Sequence, residues 1–138
     1  MLSDAQDPAA NLNADECWEL LTGTAEGRLA VSVHNEPDIF LVEFRAQDGK
    51  ILVRTPQGEM LVELTINPLV AFEVNGRSET SAWIVVVKGT ARELQSWSEI
   101  DAAQQKAQRP WTATAKGSYV EIAPTRITGR RRPIAPQT

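Results

Sequence analysis

Between Leu29 and Arg130 the apolar residues fall into short runs of period two, and turn-forming residues separate the runs. This pattern excludes most helical folds, because a period of two places alternate side chains on opposite faces of a strand. Leu29, Val31 and Val33 alternate with Ala30, Ser32 and His34. Asn35-Glu36-Pro37 reads as a turn, and Ile39 to Ala46 as the next strand. Asp48-Gly49 is a hairpin turn, since the favoured two-residue loops need positive φ, and Ile51 to Thr55 returns beside it. Leu69 to Val74 and Ser81 to Leu94 are further strands, the latter carrying the β-forming run Trp83-Ile84-Val85-Val86-Val87. Asn75 to Thr80 between them reads as a polar loop. Tyr119 to Ala123 and Arg126 to Arg130 complete the set as two strands, or one bent around Pro124. About six short strands linked by turns favour a closed or nearly closed antiparallel barrel.

Three helical stretches interrupt the strands. Asn13 and Glu16 form a capping box ahead of Cys17, Leu20 and Leu21, which share one helical face, and Gly23 ends that helix. After the break at Pro56 and Gly58, Met60, Leu61 and Leu64 mark a short helix that stops at Asn67-Pro68. Ser96 and Glu99 open a third helix, running to about Ala107 before Pro110. The chain reads as one domain over residues 13–132, with an arm at 1–12 expected to be flexible and a tail at 133–138.

The protein has 138 residues with one Cys, one His and a net charge of −4. A lone cysteine forms no internal disulfide, and one Cys with one His is too few for a structural zinc site, so no metal is expected. Cys17 reads as a small core residue and His34 as an exposed strand-end residue, which leaves no nucleophile and base pair for unaided catalysis. An enzyme built from this chain would rely on a bound cofactor. No apolar run reaches membrane-spanning length and the acidic start lacks signal-peptide character, so a cytoplasmic protein with no membrane partner is expected. The basic run Arg126, Arg130, Arg131, Arg132 is short and has no interleaved aromatics, so nucleic acid is not an expected partner.

The ordered set Glu16-Cys17-Trp18-Glu19-Leu20-Leu21, Gly27-Arg28-Leu29-Ala30, Val53-Arg54-Thr55 with Gly58, Val70-Ala71-Phe72-Glu73-Val74, Trp83 before Val85-Val86-Val87, Gly89, and Thr128-Gly129-Arg130-Arg131 resembles the small bacterial members of the pyridoxamine 5'-phosphate oxidase-like family. The resemblance covers roughly Ala14 to Arg132. It implies a mainly β fold, a six-stranded antiparallel Greek-key split β-barrel with a few short helices, paired into a homodimer. It also implies FMN as cofactor, bound in a groove between subunits, and a flavoprotein oxidoreductase of unassigned substrate. By the same resemblance, the flavin phosphate is expected on Arg54, Thr55, Gln57, Gly58 and Met60, and Trp83 and Ile84 are expected along the isoalloxazine or the dimer contact. The residue chemistry agrees in part. A guanidinium can grip phosphate with two charge-assisted bonds, and a glycine at a helix start lets backbone N–H groups approach an anion.

The chain departs from the family pattern at several of these positions. Met60 stands where relatives commonly carry Lys, and Glu59 places a carboxylate beside the expected phosphate. Leu41-Val42-Glu43-Phe44 replaces a Pro-Val-Asn-Tyr segment, and Ile84 replaces a Ser. These departures keep a second expectation open: a non-catalytic split-barrel dimer that binds another small anionic ligand or no cofactor.

Overall fold

The structure is a computed structural model that describes residues 10–55, 58–105 and 118–134. Its strands are β1 (Ala10–Asn11), β2 (Glu26–Val33), β3 (Glu36–Gln47), β4 (Lys50–Thr55), β5 (Leu69–Arg77), β6 (Ser81–Glu93) and β7 (Ser118–Pro133). Its helices are α1 (Ala14–Thr22), α2 (Gly58–Ile66) and α3 (Trp97–Gln105). The sheet runs β1-β7-β4-β3-β2-β5-β6, and β6 also pairs with β7, so all strands but β1 close into an antiparallel barrel. The expected six-stranded barrel is therefore present. The seventh strand is the two-residue β1, which pairs Ala10 with Arg131 and Asn11 with Arg130.

Alternation sets the inside of the barrel. Leu29 and Val31 of β2, Val42 and Phe44 of β3, Ile51 and Val53 of β4, Phe72 and Val74 of β5, Val85 and Val87 of β6, and Val120 and Ile122 of β7 fill one core. Phe44 and Phe72 meet edge to face with centroids 4.8 Å apart. α2 connects β4 to β5 and buries Met60 and Leu64 in the same core. α1 buries Cys17 and Leu21, and Cys17 lies against Gly129, where an added Cβ would stand 2.6 Å from its sulfur. α3 covers the outer face of β4 and β7 in a second cluster of Leu52, Leu94, Ala103 and Tyr119.

The turns explain where the strands end. The turn between β2 and β3 uses His34 and Asn35, with φ of 52° and 66°, and not Asn35 to Pro37. A two-residue hairpin loop needs positive φ at both centres, which matches the strand twist, so Glu36 and Pro37 join the strand. Asp48 and Gly49, at φ 53° and 71°, form the second such turn. Asn13 and Glu16 make the expected reciprocal capping box. At α3 only half of the box forms. Ser96 accepts from the Glu99 N–H, while the Glu99 carboxylate pairs with Arg92 at 2.9 Å. β7 is one continuous strand. Its bend is taken up by a register shift between Lys88 and Gly89, where Gly89 lies so close to Ala123 that a Cβ would stand 2.4 Å from its carbonyl oxygen.

Candidate functional site

The first expected segment lies where β4 runs out toward α2. Arg54 is half-buried on the outer side of β4, directly opposite Glu43 on one flank and Tyr119 on the other. Thr55, the next residue, points inward and is only 1% exposed, so its hydroxyl is on the opposite side from Arg54. Gly58 begins α2 with open space around it, since nothing lies within 4 Å of an added Cβ. Gln57 lies outside the described residues. Glu59 is in the first turn of α2, and Met60 is fully buried in the core. Arg54 and the α2 start thus share one rim of the barrel, where Glu43 stands opposite the cation and Glu59 lies in the first turn of α2.

The second expected segment lies at the opposite rim. Trp83 packs partly into the core beside Gly76, where a Cβ would stand 2.6 Å from the indole. Gly76 is therefore the seat of the ring: any side chain there would push it out. Ile84 is on the outer face, 40% exposed. A cavity of about 650 Å³, open on one side, is lined there by Asn75, Gly76, Arg77, Ala82, Trp83, Ile84, Arg130 and Arg132. Arg77, Gly76 and Asn75 fall in the stretch read from the sequence as a loop. In the structure β5 continues through Arg77, pairing Gly76 with Trp83 and Arg77 with Ala82. The alternation of Arg126, Arg130 and Arg132 on one face of β7 was the signal available for this cluster.

The two segments do not converge within one chain. β3, β2 and β5 lie between β4 and β6 on one side of the barrel. On the other side both strands pair with β7, but Arg54 meets Tyr119 and Trp83 meets Arg131, at opposite ends of that long strand. The outer face between them exposes aliphatic side chains beside an ion pair. Ile39 is 69% exposed and Leu41 57%; the row of Ile39 runs through Ala30 and Ala71, and that of Leu41 through Arg28 and Glu73. In the middle of this face Arg28 grips Glu73 with both Nε and Nη2, at 3.0 and 3.2 Å.

The other group with altered chemistry is Glu63 on α2. A hydrogen bond from its protonated carboxyl to Asp38, then burial, then repulsion from Asp38 and Glu59, push its pKa up from 4.5 to about 7. Its Oε2 is buried without a hydrogen-bond partner. Because the folded value lies above the unfolded one, this pair stabilises the fold fully below about 4.5 and loses that contribution as pH rises through about 7. Glu63→Gln keeps a donor for Asp38 but cannot ionise. The melting temperature of the variant is expected to fall less than that of the wild type between about pH 5 and about pH 8. Parallel profiles would show that the carboxyl pair is not formed.

Among the described residues, no helix is long and apolar enough to cross a membrane, and no group of three or more His, Cys, Asp or Glu side chains is placed to hold a metal ion. The sequence matches the family model described as pyridoxamine 5'-phosphate oxidase over residues 13–131. A candidate pyridoxamine 5'-phosphate oxidase from Corynebacterium glutamicum shares 37% identity and superposes with a TM-score of 0.82, covering 92% of this chain and 100% of that one. A protein from Mycobacterium smegmatis, described as FAD-binding, shares 35% identity with a TM-score of 0.76, covering 91% of this chain and 99% of that one. An uncharacterised Mycobacterium tuberculosis protein is 33% identical over 91 residues, which is 66% of this chain and 83% of its own length. The barrel, its order of strands and these matches together assign the chain to the pyridoxamine 5'-phosphate oxidase family.

Proposed function

We propose that two copies of this chain form a flavoprotein oxidoreductase, with FMN as the sequence implies, held between the subunits. The observation that carries this reading is the separation of Arg54 from Trp83 by a sheet face that exposes Ile39 and Leu41. Aliphatic side chains as exposed as these suit a face that a partner covers. A second copy laid on it, about a two-fold axis perpendicular to the strands, would bring Arg54 of one subunit toward the Trp83 rim of the other. Each flavin would then take its phosphate contacts from one chain and its ring contacts from both. The relative described as FAD-binding supports a flavin of either type, so FAD belongs beside FMN in any test.

Bound flavin would supply the hydride or electron transfer. The protein's part is to bind and orient it. Arg54 offers a guanidinium to the phosphate, and the open space at Gly58 admits an anion to the start of α2. Ile84 offers an apolar contact on the outer face, and Trp83 an aromatic one on the inner face beside Gly76. Arg54→Ala is expected to weaken FMN binding by more than about tenfold, followed by flavin fluorescence. An unchanged affinity would place the phosphate elsewhere. A purified protein that is colourless, and that leaves FMN and FAD fluorescence unaltered at tens of micromolar, would overturn the flavin reading. A cytoplasmic location goes with this reading, as an intracellular flavin pool would supply the cofactor.

A second reading rests on Glu43 opposite Arg54, Glu59 in the first turn of α2 and Met60 in the core. These oppose a phosphate at that rim and favour a non-catalytic dimer that takes another small anion or no cofactor. Sedimentation with and without flavin separates the two, because only the first requires a coloured dimer.

A further inference from the structure

Charge is segregated on the outer face of the barrel. Register sets Arg77 and Arg132 on either side of Ala82, and Arg130 beside Ile84. No carboxylate is among the residues that line the cavity there. Arg77 and Arg132 enter no salt bridge among the described residues, whereas Arg28, Arg92 and Lys50 are each paired with Glu. Cations gathered in this way repel one another in the free subunit.

The reverse holds on β2 and β3. Glu26 and Glu43 stand directly opposite each other. Both are on the outer face, because their neighbours Gly27, Val42 and Phe44 are the buried ones. Directly opposed side chains on a sheet approach to about 5 Å at Cβ, so two carboxylates there are destabilising. Glu26 enters no salt bridge among the described residues. Arg54, on the far side of Glu43, sets one cation against two acids.

The acidic and basic patches do not neutralise each other within one chain. The ladder between β2 and β5 ends at Arg28 and Glu73, which pair with each other. Beyond that rung the strands that carry Glu26 and Arg77 are no longer paired. A symmetric pair of subunits removes both costs at once. A two-fold interface is isologous, so a contact from acidic to basic patch is made twice. Complementary charge of this kind fixes register and rejects wrong arrangements. Glu43 adjoins Arg54 and Ala82 adjoins Trp83, and these are the two rims that the dimer described above brings together.

Resting on that dimer reading, we propose that Arg77 and Arg132 of each subunit pair with Glu26 and Glu43 of its partner, so that the basic patch of one chain completes the Arg54 rim of the other. Glu43, which opposes a phosphate within a single chain, then becomes the anchor for the partner's arginines, and Arg54 is left to face an anion.

The test compares three full-length proteins by sedimentation at tens of micromolar without flavin: wild type, Glu26→Lys/Glu43→Gln, and Arg77→Glu/Arg132→Glu. The wild type is expected to be a dimer. Each variant alone sets like charge against like, and its dimer is expected to weaken by about a hundredfold or more. An equimolar mixture of the two variants is expected to recover the dimer, because each meets opposite charge on the other. Recovery also shows that both variants fold. If either variant melts below the wild type, Glu26→Lys and Arg132→Glu, both at exposed positions, replace the double changes. Variants that dimerise as tightly as the wild type, or folded variants whose mixture stays monomeric, overturn the charge pairing and leave the dimer standing. A monomeric wild type overturns the dimer reading and this inference with it. A protein that binds no flavin but keeps the mixing pattern overturns the flavin reading alone.

Discussion

Met60→Lys is expected to destabilise the ligand-free protein by on the order of 3–5 kcal/mol, the penalty for a buried charge without a partner. The family resemblance implies Lys at this position, and from sequence alone the substitution looks like the repair of a missing phosphate contact. The structure points the other way. Met60 is fully buried with Leu64 in the barrel core, on the inward side of α2. An ammonium there must either be desolvated or drag its stem toward the rim, and both routes disturb close packing. The melting temperature should fall by more than about 10 °C, while Met60→Leu, which keeps the volume, should cost less than about 1.5 kcal/mol. A Lys variant that melts with the wild type would mean that position 60 reaches solvent. In that event added FMN should raise its melting temperature further than it raises that of the wild type.

Phe72→Ala is expected to cost about 3–5 kcal/mol, read from urea unfolding as a lower midpoint with little change in slope. Phe72 is fully buried, stacks edge to face on Phe44, and fills the space that Gly27 leaves open on β2. An added Cβ on Gly27 would stand 2.5 Å from the Phe72 ring, so the glycine and the phenylalanine are fitted to each other. The double variant Gly27→Ala/Phe72→Ala should therefore cost less than the two single changes added together, because the new methyl enters the cavity the ring vacated. Strict additivity would show that Gly27 serves the backbone and not the ring.

Much of the barrel was legible because its strands bury one face. Leu29, Val31, Phe72, Val74, Val85 and Val87 all stand where period-two reading puts them. Legibility failed where the deciding quantity was a partner strand. Glu36 and Pro37 have the composition of a turn, but the turn centres are His34 and Asn35, chosen by the twist of two strands that only pairing brings together. Asn75, Gly76 and Arg77 look like loop because their polar side chains face outward and Gly76 has none. They extend β5 because Trp83, across the ladder, needs that vacancy. The candidate site divides in the same way. Trp83 and Ile84 could be singled out from a run of β-forming residues. The carboxylate opposite Arg54 and the arginines around Ala82 depend on register, which no single stretch of sequence encodes. Likewise the spacing of Met60, Leu61 and Leu64 predicts a helix but not that Met60 is its most buried member.

The long last strand has a consequence for how the chain is made. β7 pairs with β4 at one end and β6 along the rest, and its far end also takes β1. Until Ser118–Pro133 has left the ribosome, β4 and β6 are both open edges, with rows of unpaired backbone groups and the apolar interior between them. Between the emergence of β6 and that of β7 the nascent domain is thus a curled sheet with two adhesive borders, which β7 then seals. Closure of this kind joins residues far apart in sequence, such as Ile51 and Ile122, which favours slow folding.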